Sequence, residues 1–181
     1  MLQIKDLYVI EWMGPYKSLD DMYQWEDVDS CFIYIITGRF AYKRSLGIKY
    51  IGITKRAPYI RLNDKDHQIK QEEIKCKQYW AGRFSISSYN ILTDKKRYRA
   101  ENVENLLIRY LSRINGVSLL NEKKRFKDPG KPIGIISLWK NRERNTNDIR
   151  YYKPSILSKL PDTLIYMDHK FYVGEKIKIV Q

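Results

Sequence analysis

Two apolar runs separated by a basic connector dominate residues 31–54, CFIYIITGRFAYKRSLGIKYIGIT. The runs FIYII and IKYIGI are rich in β-branched and aromatic residues, which favours strands, and the glycine-containing connector fits a hairpin loop. Side chains alternate between the two faces of a strand, so a matched register points Tyr34 and Tyr50 to the same side. The same alternation places Ile48 on the face of Tyr50. Gly52 leaves a gap beside Tyr50 in which a ligand backbone could approach closely.

Two further stretches predict helices. Pro58 suits the first turn of a helix, and a polar stretch over about 57–75 follows it. A clearer helix is predicted over 97–114, because its apolar residues recur at the spacing of one helix face. Glu104 lies at the border of that apolar stripe, where a carboxylate is half-buried and available for catalysis or metal binding. Glu101, one turn earlier, is the competing candidate.

The other segments contain shorter β-like runs. A third strand is predicted over 83–92, RFSISSYNIL, and residues 3–12 could form a short strand that Met13-Gly14-Pro15 ends. The apolar run 133–139 is a strand or a buried turn. Two β-like runs on either side of Asp168-His169-Lys170 predict a C-terminal hairpin.

These elements predict an α+β fold with a small mixed or antiparallel three-stranded sheet flanked by helices. The sheet and its helices occupy residues 31–121. An acidic extension, residues 1–30, packs on this domain, and a basic extension with the hairpin covers residues 122–181.

The charge of the chain is large and uneven. The 181 residues carry +13 at pH 7, although residues 1–30 hold two basic and seven acidic side chains. A basic body of this kind attracts phosphate backbones, so nucleic acid is the expected partner, and a solvated basic surface is the alternative.

Other partners and sites are disfavoured by the sequence. No apolar run approaches the roughly 20 residues that cross a bilayer, and no signal pattern opens the chain, so we expect no membrane partner and a cytoplasmic location. The two cysteines and two histidines lack the spacing of zinc ligands, which argues against a zinc site.

The order of these features resembles the GIY-YIG nuclease family, which includes homing endonucleases, an excision-repair nuclease and some restriction enzymes. The resemblance spans residues 31–121. The residues that carry it are Phe32-Ile33-Tyr34 in the GIY position, Tyr50-Ile51-Gly52 in the YIG position, Arg61-Leu62, Glu104 with its apolar followers, and Leu120-Asn121. Phe32 replaces the first glycine of the family motif, and the hairpin connector is longer and more basic than is usual in the family.

The chain also departs from the family after the arginine. The family often has a histidine or tyrosine four residues after it, and Lys65 stands there in this sequence. His67 lies two residues further on. Either Lys65 takes the role, or the helix is irregular and His67 reaches into the site.

The resemblance implies a metal-dependent endonuclease that hydrolyses DNA phosphodiester bonds, with double-stranded DNA as partner and a restriction, mobile-element or phage context. Glu104 would hold one Mg²⁺ or Mn²⁺ ion, and Arg61 would clamp the scissile phosphate. Tyr34 or Tyr50 would accept or relay the proton of the attacking water. An unperturbed tyrosine has a pKa of about 10, so this role requires help from nearby cations.

Contacts to the nucleic acid are expected around this centre and on the basic surface. The expected residues are Arg39, Lys43, Arg44, Gly52, Lys65 and Asn121, together with the basic segments 123–131 and 140–150. The alternative function is a nucleic-acid-binding protein that keeps the scaffold without catalysis, which Phe32 and the displaced histidine favour.

Overall fold

The computed structural model describes residues 6–25, 31–70, 73–84, 96–121, 128–141 and 153–174. Within these residues the strands and α-helices are β1 (Asp6–Tyr16), β2 (Phe32–Phe40), β3 (Gly47–Thr54), α1 (Pro58–Asn63), β4 (Ile74–Phe84), α2 (Lys96–Leu111), β5 (Ile133–Asn141), β6 (Thr163–Met167) and β7 (Lys170–Gly174). Short 3-10 turns lie at Asp20–Trp25, Gln68–Lys70 and Ser155–Leu157. No helix in the described part of the chain is both long and apolar enough to cross a membrane.

The seven strands join one curled, mixed sheet in the order β3-β2-β4-β1-β5-β6-β7. β1 and β5 run parallel, and the other neighbouring pairs are antiparallel. β1 therefore lies inside the sheet, and β3 is one of its two edges. Pro15 falls where the pairing of β1 with β4 becomes irregular, between Met13 and Tyr16. Such irregularities are where a sheet tolerates proline, so β1 continues past the point at which it was predicted to end.

The predicted fold class is wrong. The described residues do not form a small three-stranded sheet flanked by helices; they form a seven-stranded sheet with two α-helices. The additional strands β1, β5, β6 and β7 come from the segments on either side of residues 31–121. Local patterns can predict strands in these segments, but pairing with strands distant in sequence decides that they join the same sheet.

The boundaries of the third strand and of the first helix also differ from prediction. The helix expected over 57–75 ends at Asn63, because the polar residues that follow offer no apolar stripe to hold a longer helix on the sheet. The strand after it is β4, which overlaps the predicted strand 83–92 only at its last two residues. Residues 85–92 lie outside the described residues.

Three other predicted elements are observed. The helix predicted over 97–114 is α2, which ends at Leu111. The run 133–139 is a strand, β5. The C-terminal hairpin is confirmed as β6 and β7, with Asp168 and His169 in the left-handed region at φ 49° and 61° in the turn between them.

The sheet buries an apolar cluster on each face. On one face, the α2 core, α2 packs on strand residues; its members include Ile33, Ile35, Ile48, Ile51, Val103, Leu106, Leu107 and Leu111. The other cluster, the tyrosine core, lies beside α1; its members include Phe32, Tyr34, Ile36, Phe40, Tyr50 and Leu62. Each buried aliphatic side chain contributes about 1.5–3 kcal/mol, so both faces stabilise the hairpin β2–β3.

A β-bulge in β3 changes which residues share a face. Ile36 pairs with Tyr50 and Thr37 pairs with Ile48, so Lys49 is an extra residue on β3. Ile48 consequently belongs to the α2 core while Tyr50 belongs to the tyrosine core. The prediction that Ile48 shares the face of Tyr50 is therefore wrong, because it assumed strict alternation.

Candidate active site

Tyr34 and Tyr50 lie side by side on one face of the hairpin, which confirms the predicted orientation. Their ring centroids are 6.0 Å apart and their planes differ by 11°. Tyr34 lies opposite Gly52 in the pairing of β2 with β3. A Cβ atom on Gly52 would collide with the Tyr34 hydroxyl group and would lie 2.8 Å from Cε1 of Tyr50. The gap predicted beside Gly52 is thus filled by the Tyr34 phenol.

His67 joins this pair from the loop after α1. Its side chain is fully buried, and its Nε2 atom lies 3.0 Å from the Tyr34 hydroxyl oxygen. The backbone N–H of Ile69 donates to Nδ1 of His67 over 3.2 Å. The neutral imidazole therefore carries its proton on Nε2 and donates it to the Tyr34 oxygen.

The two residues proposed for the position after the arginine lie in different surroundings. Because α1 ends at Asn63, the chain leaves the helix before Lys65, and Lys65 is exposed. His67 instead lies beneath both tyrosines, with ring centroids 6.0 Å from Tyr34 and 5.2 Å from Tyr50. The irregular-helix alternative describes the fold, and His67 is the residue brought to the tyrosine pair.

Burial sets the protonation of this cluster. It lowers the pKa of His67 to about 4, with a further contribution from the positive charge of Arg61, so the imidazole is neutral at pH 7. Burial also raises the pKa of Tyr34 and Tyr50 above the ordinary tyrosine value. Both tyrosines are therefore neutral phenols at pH 7.

Neighbouring groups give the two phenols different pKa values. The hydrogen bond between them raises the pKa of Tyr34 and lowers that of Tyr50. Tyr50 is accordingly the phenol that loses its proton more readily. The charge of Arg61 lowers the pKa of both phenols, and the charge of Glu104 raises both.

Arg61 stands on α1 with its guanidinium group half-buried beside the tyrosine core. It is also held by an acidic neighbour: its Nη1 donates to Oδ2 of Asp64 over 2.6 Å. Asp64 accepts hydrogen bonds from Arg56 as well, one of them over 3.2 Å from Nη1 to Oδ1. Arg56 and Asp64 were missed by the sequence analysis, although an acid three residues after a helical arginine is a recognised signal for an ion pair.

Glu104 is the carboxylate of α2 whose charge acts on the two tyrosines. Its side chain is 3% exposed, whereas Glu101 is only half-buried. α2 covers the opposite face of the sheet and packs on the edge strand β3, yet the charge of Glu104 acts on both phenols. A buried carboxylate is costly unless other groups or an ion compensate it, which makes Glu104 the candidate of functional interest.

A divalent ion at this site would depend on the Glu104 carboxylate. Among the described residues, no group of three or more His, Cys, Asp or Glu side chains converges in the way that holds a metal by protein ligands alone. Mg²⁺ keeps several waters and often takes one or two carboxylates, so the ligation that the resemblance implies would need Glu104 as its one protein carboxylate. Asp64 is occupied by Arg56 and Arg61.

The predicted basic residues of the connector lie away from this cluster. Residues 41–46 are exposed and begin after Phe40, the last residue of β2. Six strand residues separate Phe40 from Tyr34, so the loop lies about 20 Å from Tyr34 along β2. Lys43 and Arg44 belong to this loop, and Arg39 is half-buried just before it. Tyr42, which the sequence analysis did not single out, is 73% exposed and stacks on Phe40 at a centroid distance of 5.6 Å.

Leu120 and Asn121 form hydrogen bonds to the backbone of the edge strand β3. Asn121 is buried and its Nδ2 donates to the carbonyl oxygen of Ile51 over 2.6 Å; the N–H of Leu120 donates to the carbonyl of Lys49 over 2.7 Å. Asn121 thus holds the backbone of the YIG motif in place. Of the two basic segments predicted to contact nucleic acid, residues 122–127 and 142–150 lie outside the described residues.

Lys49, the bulge residue, is a second feature that the sequence analysis missed. It is 2% exposed, its ammonium group lies 5.0 Å from the centroid of the Phe40 ring, and burial lowers its pKa. A lysine inside an apolar strand next to a motif tyrosine was the available signal, because it breaks the alternation of the strand.

No protein-family model matches this chain, and neither does any curated protein or solved structure. The resemblance to the GIY-YIG nucleases therefore rests on the residues of the motifs alone.

Proposed function

We propose that the protein is a metal-dependent endonuclease of the GIY-YIG type that hydrolyses phosphodiester bonds of double-stranded DNA. One observation supports this most strongly. Tyr34, Tyr50 and His67, which belong to three separate parts of the chain, meet in one buried cluster, and the charges of Arg61 and Glu104 act on it.

In the proposed reaction a water molecule attacks phosphorus, the bond from phosphorus to the leaving oxygen breaks, and the proton of the water passes to the protein. We assign the proton-accepting role to Tyr50, because its hydrogen bond with Tyr34 makes it the more acidic phenol. Tyr50 first gives its own proton to solvent and then, as the phenolate, accepts the proton of the attacking water, while Tyr34 stabilises the phenolate oxygen through their hydrogen bond. His67 orients Tyr34 by donating its Nε2 proton to the hydroxyl oxygen. Its low pKa keeps it a neutral donor at pH 7.

Arg61 and Glu104 have the remaining roles in the proposed reaction. Arg61 clamps the scissile phosphate through its planar fork and balances the charge that develops in the transition state. Glu104 would hold the divalent ion. When bound, that ion supplies positive charge for the leaving oxygen and lowers the pKa of neighbouring hydroxyl groups, which brings the raised pKa of Tyr50 closer to the working range.

A nucleic-acid-binding protein without catalysis is the second candidate function. Two observations favour it: Phe32, which replaces the glycine of the GIY position, is fully buried in the tyrosine core, and Arg61 is already paired with Asp64. This function predicts salt-sensitive DNA binding with no cleavage under any metal.

Nicking of supercoiled plasmid separates the two functions. The wild-type protein is expected to nick plasmid with Mg²⁺ or Mn²⁺ and to be inactive in EDTA, while Glu104→Ala and Arg61→Ala lose nicking. Glu101→Ala, one turn away on α2, is the matched control and is expected to keep it. Binding without nicking by the wild-type protein, in both metals, would establish the second function instead.

A further inference from the structure

Asp64 follows the last residue of α1 and joins two arginines that both precede it in the sequence, Arg56 and Arg61. Arg61 donates from Nη1 to Oδ2 over 2.6 Å, and Arg56 donates from Nη1 to Oδ1 over 3.2 Å and from Nη2 to Oδ2. The side chains of Arg56, Arg61 and Asp64 are 52%, 32% and 21% exposed. Two guanidinium groups and one carboxylate therefore share a site that solvent reaches.

The charge and shape of this site match an anion with several oxygens. A guanidinium group presents parallel N–H donors that fit the paired oxygens of a carboxylate or a phosphate. Asp64 supplies one negative charge against two positive charges, so the pair of arginines keeps an excess of one positive charge. A backbone phosphate has the same paired oxygens and would be accepted by both forks.

We propose that Arg56 and Arg61 form a two-arginine binding site for a DNA backbone phosphate, and that Asp64 occupies this site in the absence of DNA. Arg56 is the new element, since the resemblance to nucleases points only to Arg61. Asp64 competes with the phosphate for the two arginines, so it weakens binding to DNA. Only a phosphate positioned to contact both arginines displaces the Asp64 carboxylate. This proposal rests on the proposed function insofar as it takes DNA as the ligand.

A purely structural role for Asp64 makes the opposite prediction. The backbone N–H of Asp64 donates to the carbonyl oxygen of Arg61, which closes the end of α1. If the side chain served mainly to hold Arg61 in a binding geometry, its loss would weaken binding to phosphate. Asp64→Asn preserves the shape and the backbone hydrogen bond while it removes the charge, so it distinguishes the two roles.

The test measures the affinity for a fluorescein-labelled 20-base-pair duplex by anisotropy in EDTA over a range of salt concentrations. Asp64→Asn is expected to bind roughly fivefold more tightly than the wild type, and Arg56→Ala roughly fivefold more weakly. Arg56→Ala is also expected to lower the slope of log K against log salt by about 0.9. In the double variant the gain from Asp64→Asn is expected to shrink, because one of the two forks is missing.

The control variant is Glu73→Gln, which makes the same change of net charge at an exposed ion pair with Lys75. The proposal is overturned if Asp64→Asn binds no more tightly than Glu73→Gln, or if its gain is undiminished in the double variant. Circular dichroism establishes that each variant is folded. Because the measurement is made without metal, it is independent of cleavage: a protein that binds as described but never nicks DNA contradicts the proposed nuclease activity alone.

Discussion

At the scale of single residues, Gly52 is the position at which the smallest change has the largest expected effect. Gly52→Ala places a methyl group against the Tyr34 hydroxyl and the Tyr50 ring, so the two phenols must move apart. Overpacking of this kind costs about 1–3 kcal/mol and also separates the groups of the candidate site. We expect a lower free energy of unfolding in urea and loss of nicking.

Gly47 supplies the control in the same strand. A Cβ atom there meets no atom within 4 Å, so Gly47→Ala is expected to change neither stability nor activity appreciably. Equal behaviour of the two alanine variants would contradict the close packing of Tyr34 on Gly52.

The buried imidazole predicts a specific dependence of stability on pH. The pKa of His67 is near 6.5 in the unfolded state and about 4 in the folded state. Between these pH values the unfolded state binds a proton at His67 and the folded state does not. The unfolded state is thus favoured as the pH falls from about 6.5 to 4, and His67 adds no pH dependence above this window. The free energy of unfolding of the wild type is expected to fall more steeply across the window than that of His67→Asn, as measured by urea titration. Parallel curves would show that His67 is not buried as a neutral ring.

The residues of the site differ in how far the sequence could place them. The shared face of Tyr34 and Tyr50 follows from strand alternation and was predicted. His67 could not be assigned, because its contact with Tyr34 depends on a loop that begins where α1 ends at Asn63. Loop geometry of this kind has no periodicity that can be read from the sequence.

At the scale of elements, the hairpin loop 41–46 presents cations and an exposed aromatic ring about 20 Å from the tyrosine pair. This distance corresponds to about six base pairs of duplex, so the loop and the site could contact one DNA molecule. The double variant Lys43→Ala, Arg44→Ala is expected to weaken duplex binding and to lower the salt slope by about one to two, because each lost phosphate contact removes about 0.9.

Lys159 and Lys170 provide the matched control for that variant, since both are exposed and Lys170 lies on the opposite edge strand, β7. Their double alanine variant is expected to bind as the wild type does. If both double variants weaken binding equally, the effect is one of overall charge and the loop is not a contact surface.

The elements themselves were predicted with uneven success for a physical reason. α2 and the hairpins β2–β3 and β6–β7 have strong local patterns or short turns, and the sequence placed them nearly correctly. The extent of α1 and the position of β4 were wrong, because polar residues between 64 and 75 fit several local structures. Pairing of β4 between β2 and β1, and the β-bulge at Lys49, are decided by tertiary contacts.

At the scale of the whole molecule, β1 determines whether the sheet exists as one unit. It pairs with β4 on one side and with β5 on the other, and it buries Tyr8, Ile10, Trp12 and Tyr16. The sequence could not reveal this position, because a strand's neighbours in a mixed sheet are set by chain topology rather than by local pattern.

Deletion of residues 1–17 removes this inner strand and is expected to abolish cooperative unfolding in urea. Deletion of residues 168–181 removes the edge strand β7 and is expected to leave a cooperative transition at lower denaturant concentration. A cooperative transition in the protein that lacks residues 1–17 would contradict the inner position of β1.

The proposed nuclease function requires that the tyrosine pair, His67, Arg61 and Glu104 form one metal-dependent hydrolytic site. The most direct measurement is the single-turnover rate of cleavage of a labelled duplex as Mg²⁺ is titrated, in the wild type, Glu104→Gln and Glu101→Gln. We expect metal-dependent cleavage by the wild type and by Glu101→Gln, and a rate at least about 100-fold lower in Glu104→Gln. Cleavage by Glu104→Gln at the wild-type rate, or equal cleavage by the wild type in EDTA, would contradict a metal-dependent site built on Glu104.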